Sequence, residues 1–327
     1  MKNIIKILKK SKRVAILAHI SPDSDCMGSM SALSLILEQK GIQTHMFVDT
    51  NKSPESYPLF DFDKSFNEDM DVTLFDTLIT VDVASKRLLG KYGNSFADFK
   101  NTISIDHHDS RDFEAKYVYN EPDSASCSEI IFKFAKLYNA EITPKIASYL
   151  FAGIVGDTNC FEHDNVTANT HMTASQLYSL GADTKKIIFE QKKHQTIKDI
   201  NLSRLVYSNM VIKNQIAYMI FTNKIQSEAG TDNTKKYVSE LLNIEDNVFS
   251  FAINQKEKNT YTVSIRCKEG YNACKIAEKY GGGGHIQAAG FSFVGAPVKH
   301  AKMLYDDCLQ QIKGKKNVWK KCNNKSK

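Results

Sequence analysis

His19, Asp23 and Asp25 stand close together, after the β-branched run Val14 to Ala18 and before a helical pattern. An imidazole and two carboxylates at the carboxyl end of a strand would project into the crevice where a parallel sheet takes its ligand. Pro22 stiffens this loop, and Gly28 is expected to let the backbone come close at the helix start. Capping of the following helix by Asp23 or Asp25 accounts for one carboxylate, but not for His19 and a second one. The arrangement then recurs: Asp82 follows Leu78 to Val81, Asp106-His107-His108-Asp109 follows Ile103 to Ile105, and Asp157 follows the helical Leu150 to Val155. Any one of these suits a loop or a cap. Carboxylates gathered along one sheet edge, however, repel each other unless something cationic holds them. Carboxylates and imidazoles without thiolate favour Mn²⁺ or Mg²⁺ over structural Zn²⁺. The acids and histidines together exceed one octahedral site, so two metals are expected. A metal pair roughly 3.5–4 Å apart clamps the attacking and leaving oxygens of a phosphoryl displacement.

A second cluster, Gly281-Gly282-Gly283-Gly284-His285, ends at Gly290. Consecutive glycines let backbone N–H groups converge on an oxyanion without Cβ interference. His285 and Arg266, the latter ending a strand, could add positive donors, Arg binding phosphate as a fork. Taken alone, the glycine run also fits a flexible turn.

These residues need a scaffold, and the first half supplies one: short β-branched runs at Val14 to Ala18, Thr44 to Val48, Leu78 to Val81 and Thr102 to Ile105 alternate with helical patterns. Continuous apolar strands with crossover helices indicate an α/β fold, its mostly parallel sheet covered on both faces. Helices are expected at Ser29 to Lys40, Ser126 to Tyr138, Pro144 to Ile154 and Thr167 to Leu180. The polar, Lys-rich stretch Asp183 to Asn209 reads as one long linking helix. Beyond it, strands at Ile216 to Thr222, Val248 to Gln255 and Thr260 to Arg266, with a last helix from Pro297 to Ile312, indicate a second, smaller α/β domain.

The chain has 327 residues, 42% of them hydrophobic and 24% charged, as in a soluble globular protein. No apolar stretch approaches the roughly 20 residues that span a bilayer, and the basic start lacks the pattern of a secretory leader. A cytoplasmic protein without membrane contact is expected. The seven cysteines are scattered with no CxxC pair, which fits a reducing compartment; Cys26 and Cys160 read as packing residues. The net charge of +6 sits at the ends: residues 14–312 carry 30 basic against 37 acidic residues, while 313–327 carry seven lysines and no acid. An acidic body does not suit long nucleic acid, and the tail reads as solvated chain.

The ordered set HxxPDxDxxGS, a lone Asp after a strand, DHH, GxxxDT and GGGGHxxAAG resembles the DHH phosphoesterases, in particular the two-domain group of NrnA-type oligoribonuclease and pAp phosphatases, from about residue 10 to 312. The resemblance implies that His19, Asp23 and Asp82 bind one Mn²⁺ and that Asp25, Asp82, His107 and Asp157 bind the other, Asp82 bridging. It implies Asp106 behind the ligands, His108 on the scissile phosphate, and Arg266, Gly282, Gly283, Gly284 and His285 on the substrate's non-reacting phosphate. Mg²⁺ or Co²⁺ would be substitute ions. It also implies a catalytic domain over 1–190, a linker helix over 191–212, a substrate-binding domain over 213–312 and a basic tail over 313–327. Asn159-Cys160 stands where the family often has Gly-Ser.

The expected activity is hydrolysis, by metal-activated water, of very short RNA and of 3′-phosphoadenosine 5′-phosphate (pAp). A phosphodiesterase for cyclic dinucleotides, or for linear products such as pApA, is the alternative. From a different class, a nucleic-acid binder acting through the basic ends would have no use for clustered acids. Partners are these short nucleotides, with a homodimer as candidate assembly.

Overall fold

The structure is a computed structural model that describes all residues except 54–55, 61–67, 110–111, 113, 231–234 and 324–327. The chain divides into two compact units, Met1–His194 and Gln195–Lys327.

In the first unit, α1 (Lys2–Leu8) leads into β1 (Arg13–Leu17), α2 (Ser24–Glu38), β2 (Gln43–Phe47), β3 (Thr77–Val81), β4 (Asn101–Asp106) and β5 (Tyr117–Asn120). There follow α3 (Cys127–Leu137), α4 (Pro144–Asp157), α5 (Ala168–Ser179) and α6 (Thr184–Ile188). The five strands pair in parallel in the order β2-β1-β3-β4-β5. Alternation along β1 shows why its run is apolar throughout. Val14 and Ile16 enter the core with Met30, Leu33, Ile131 and Leu150 from the helices, whereas Ala15 and Leu17 face Leu89, Tyr92 and Phe96 on the other side. A strand covered on both faces has no polar side to display. The chain leaves β1 toward β2 on one side and returns to β3 on the other, so the sheet's switch point lies between β1 and β3.

The second unit holds α7 (Ile197–Asn209), β6 (Val211–Lys213), β7 (Ile216–Phe221), α8 (Asn223–Ala229), α9 (Lys235–Leu242), β8 (Phe249–Glu257), β9 (Thr260–Cys267), α10 (Ala273–Glu278), β10 (Gly283–Gly284), β11 (Ala288–Val294) and α11 (Pro297–Asn323). Its six strands form a mixed sheet, β10-β11-β9-β8-β7-β6, antiparallel except between β7 and β8. The fold is thus α/β throughout, a parallel sheet followed by a mixed one. Among the described residues, no helix is long and apolar enough to cross a membrane.

Four expectations change. Helix α2 starts at Ser24, not Ser29, because Asp23 caps it, accepting the amides of Asp25 and Cys26 at 3.1 and 3.0 Å. The stretch 183–209 is not one helix: α6 passes into a π-helical turn, Phe189–Lys193, and α7 begins anew behind Thr196, which exchanges capping hydrogen bonds with Asp199. Helix α11 runs on to Asn323, so much of the lysine-rich tail is helical and only its last residues lie outside the described ones. Strands β5, β6, β10 and β11 and helices α1, α8 and α9 carry too few patterned residues to have been expected.

Candidate metal centre

His19 lies just beyond β1 and Asp82 just beyond β3, one on each side of the switch point. Asp106 ends β4, with His107 and His108 next to it. Asp157 ends α4, and Asp25 sits in the first turn of α2. Asp82 takes a left-handed backbone, φ 58°, while its amide donates to Ile105 O at 3.0 Å. This turns its carboxylate across the strand ends. Its Oδ2 lies 3.8 Å from His19 Nε2, and its Oδ1 lies 3.4 Å from His107 Nε2 and 3.7 Å from His108 Nδ1. Asp157 Oδ2 is 3.2 Å from His107 Nε2, and Asp23 Oδ2 is 3.9 Å from His19 Nε2.

Asp25 is fully buried. Its Oδ2 accepts Cys127 N at 2.6 Å, and its Oδ1 accepts Ser128 N at 2.9 Å and Ser29 Oγ at 3.3 Å. The two free amides that open α3 therefore hold this carboxylate. Gly153 on α4 leaves the room: a Cβ there would come 2.6 Å from Asp25 Oδ1 and 2.0 Å from Ser128 Oγ. Gly28, expected at the helix start, lies inside α2 against α4, where a Cβ would meet Tyr149 O at 2.4 Å.

The two histidines after β4 are fixed differently. His107 Nδ1 lies 3.2 Å from the Ser124 carbonyl, which selects the tautomer with its proton on Nδ1 and leaves Nε2 facing Asp82 and Asp157. His108 Nδ1 is bonded to Asp106 Oδ1 at 2.7 Å, and the same oxygen accepts both histidine amides, at 2.8 and 3.3 Å. Asn120 Nδ2 donates to His108 O at 2.8 Å. Asn165 Nδ2 donates to Ala125 O and to Asp157 O, at 3.0 and 3.3 Å, tying the approach to α3 to the end of α4. Ser124, Asn165 and the amides of α3 act through backbone groups, which residue type and spacing do not reveal.

The electrostatics call for a cation. Asp82 Oδ1 and Asp106 Oδ2 are buried without a hydrogen bond, and among the described residues no lysine or arginine pairs with Asp23, Asp25, Asp82, Asp106 or Asp157. Burial, followed by the charges of Asp157 and Asp82, pushes Asp25 well above the carboxylate range. Burial also raises Asp82, but the imidazoles of His107, His19 and His108 overcome it and hold this carboxyl low. For His107, burial disfavours the cation, yet its contacts with Asp157 and Asp82 and the charge of Asp25 push it up to about 12. A site that would otherwise draw protons to offset its own charge is suited to divalent ions.

Three groups bring their ligand atoms within 4.8 Å of one another: Asp25, His107 and Asp157; Asp82, His107 and His108; and His19, Cys26 and Asp82. The last contains Cys26 where Asp23 was expected. Burial first, then the charges of Asp82 and Asp23, push the Cys26 thiol far above its ordinary value, which makes it a poor ligand for a hard ion.

In the second unit, Arg266 lies on β9 opposite Ala288 of β11, and its Nη1 donates to Ile265 O at 3.0 Å. Among the described residues, no carboxylate pairs with it. The glycine run forms a short strand and a tight return. The amides of Gly281 and Gly282 bond to Glu278 O and Ala277 O at the end of α10, and His285 N bonds to Ala288 O at 2.8 Å. Glycine is required because a Cβ at 282 would meet Gly290 O at 2.2 Å, and one at 284 would meet Ala288 O at 2.5 Å. Gly283 and Gly284 pair with Gly290 and Ala289, and the His285 side chain is exposed.

Comparisons with known proteins agree with this architecture. The model of the DHH family, N-terminal domain, matches residues 13–154, and that of the DHHA1 domain matches 213–311. The bifunctional oligoribonuclease and PAP phosphatase NrnA of Mycoplasma genitalium is 28% identical over 319 residues, 94% of this chain and 96% of that one. The cyclic-di-AMP phosphodiesterase PdeA of Listeria monocytogenes is 29% identical over 308 residues, 87% of this chain and 45% of that one. An exopolyphosphatase-related protein from Bacteroides fragilis shares the fold with a TM-score of 0.81, at 20% identity over 96% of each chain. With both domains matched in order and the acids and histidines gathered at the strand ends, the chain belongs to the DHH phosphoesterases, in their two-domain form.

Proposed function

We propose that the protein is a Mn²⁺-dependent phosphohydrolase that degrades very short RNA and removes a phosphate from pAp. The observation that carries this reading is the set of buried carboxylates that, with no lysine or arginine partner among the described residues, face three imidazoles at the sheet's switch point. His19, Asp23 and Asp82 would hold one ion, and Asp25, Asp82, His107 and Asp157 the other. Paired divalent ions supply an activated water and neutralise charge on the phosphoryl oxygens. The chain's own groups do the rest. Ser124 would keep His107 Nε2 turned to the ions, and Asp106, bonded to His108 Nδ1, favours the doubly protonated ring, whose Nε2–H can donate to a phosphate oxygen. Arg266 and His285, beside Gly282, Gly283 and Gly284, would bind the substrate's other phosphate; support for this is the absence of a carboxylate partner for Arg266 among the described residues.

The second reading, a phosphodiesterase for cyclic dinucleotides or for linear products such as pApA, draws on the similarity to PdeA. One panel separates them: pAp, pApA, a five-mer RNA, a 20-mer, a cyclic dinucleotide and pyrophosphate, each with Mn²⁺, Mg²⁺ or chelator. Fast turnover of pAp, pApA and the five-mer, a slow 20-mer and loss of activity with chelator are expected. Preference for the cyclic dinucleotide would establish the second reading, and activity surviving chelation would overturn the metal site.

A further inference from the structure

A cavity of about 390 Å³ opens beside the acid cluster, wholly within the first unit. It falls in the size range of small-molecule sites, roughly 300–1,000 Å³. Asp23 and Asp157 stand on its lining, so a molecule reacting at the cluster reaches it directly. Its inner wall is aromatic and aliphatic, from Tyr57, Phe60 and Val155, three buried residues. Apart from the hydroxyls of Ser24 and Ser56, the charged and amide groups of the lining offer mainly acceptors. Gln191 donates its Nε2 to Ala152 O at 2.9 Å, which leaves Oε1 as an acceptor, while Glu190, Asp157 and Asp23 add carboxylates. Gly156 keeps this corner open, since a Cβ there would lie 2.8 Å from Ser24 Cβ and 3.7 Å from Gln191 Oε1.

A further wall is strained. Asn159, Cys160 and Phe161 all have positive φ, at 46°, 59° and 67°. Three successive non-glycine residues in that region persist only where the surroundings hold them, and such strain gathers at functional sites. Here Thr158 holds the turn: its Oγ1 donates to Ile154 O at 2.6 Å and accepts Phe161 N at 3.0 Å. Lys192 bonds Asn159 Oδ1 and Glu162 Oε2 from outside. Asn159 and Cys160, which both line the cavity, are thereby fixed in place.

With Asp23 and Asp157 given over to the proposed ions, the cavity keeps Glu190 and Gln191 Oε1 as acceptors and offers a phosphate no cationic side chain among its described lining residues. It suits an uncharged, flat group that can stack on an aromatic ring and donate hydrogen bonds. We propose that this cavity holds the base of a nucleoside joined to the reacting phosphate, and that it prefers bases bearing an exocyclic amine, such as adenine, over uracil, which would turn carbonyl oxygens toward the acceptors Gln191 Oε1 and Glu190. This rests on the phosphoesterase reading and adds to it the part of the substrate that is selected.

The test compares kcat/KM for pApA, pApU, pUpA and pUpU with Mn²⁺, in wild type, Gln191→Leu and Ser56→Trp, the last placing a bulky ring at the exposed rim. In wild type, adenine at one of the two positions is expected to raise kcat/KM about 3- to 10-fold over uracil, the value of one hydrogen bond. Both variants should compress that ratio toward one. Equal rates for all four substrates, or a preference that survives in both variants, would overturn the proposal. If none of the four is turned over, the phosphoesterase reading fails instead. Saturation-transfer NMR with free adenosine and free uridine then decides the cavity alone: adenosine signals lost in Ser56→Trp support it, and equal or absent signals refute it.

Discussion

Asp82 joins two demands in one residue, a carboxylate facing imidazoles on both sides and a left-handed backbone. Asparagine tolerates that backbone and keeps the shape, so Asp82→Asn separates charge from fold. Turnover and bound Mn²⁺ are expected to vanish while the circular dichroism spectrum and the urea midpoint stay near wild type. His108→Ala should keep its metal, counted by plasma emission, and lose roughly 10²–10⁴-fold in rate. Cys26→Ser should change metal content little, because the buried thiol is held protonated. The acids and histidines were legible because a parallel sheet places its ligands where apolar runs stop. What supports them was not. Ser124 contributes a carbonyl, α3 its first amides, and Asn165 bonds to two carbonyls, none of which depends on a recognisable spacing.

Helices α2 and α4 approach so closely that glycine stands at the contact from both sides. The same added methyl group should have different effects there. Gly28→Ala pushes on the backbone at Tyr149 and is expected to lower stability by about 1–3 kcal/mol in urea denaturation, as overpacking does. Gly153→Ala pushes on Asp25 and Ser128, and should weaken Mn²⁺ binding roughly 10- to 100-fold, read by calorimetric titration. Element boundaries were legible where the signal was local and strong, as with the Thr143 cap before Pro144 of α4. Strand β5 was hidden because it is a short, half-exposed edge. The break before α7 was written in the sequence as Thr196 and Asp199, a capping pair outweighed by the helical propensity of the surrounding lysines.

At the level of the whole chain, ion binding and stability are linked. Ions that bind only the folded state at 100 times their dissociation constant add about 2.7 kcal/mol, so chelation should lower the Tm of the first unit's transition and Mn²⁺ restore it, measured by calorimetry. The second unit carries a separate expectation. If Arg266 binds a phosphate, Arg266→Ala should reduce the preference for pApA over ApA by about 10- to 150-fold, the loss of a charged hydrogen-bond partner; an unchanged ratio would place the anchor elsewhere. The α/β class and the order of the two units could be read from the change in strand pattern after residue 209, but the local structure of the glycine run could not, since the amides of Gly281 and Gly282 close onto the end of α10 and Gly283 and Gly284 pair as a short strand.

Each apolar cluster falls entirely before or entirely after the division at His194. Synthesis on the ribosome gives this arrangement an order in time. Translation adds roughly 5–20 residues per second, and domains fold as units from the amino terminus. When the last residue of the first unit has emerged, its core and every acid and imidazole of the ion site are already present, while the second unit is still being made. On the proposed reading, the nascent chain can therefore capture its ions, and form the cavity beside them, during the several seconds before Arg266 and the glycine hairpin exist, with only the phosphate anchor of the second unit still to come.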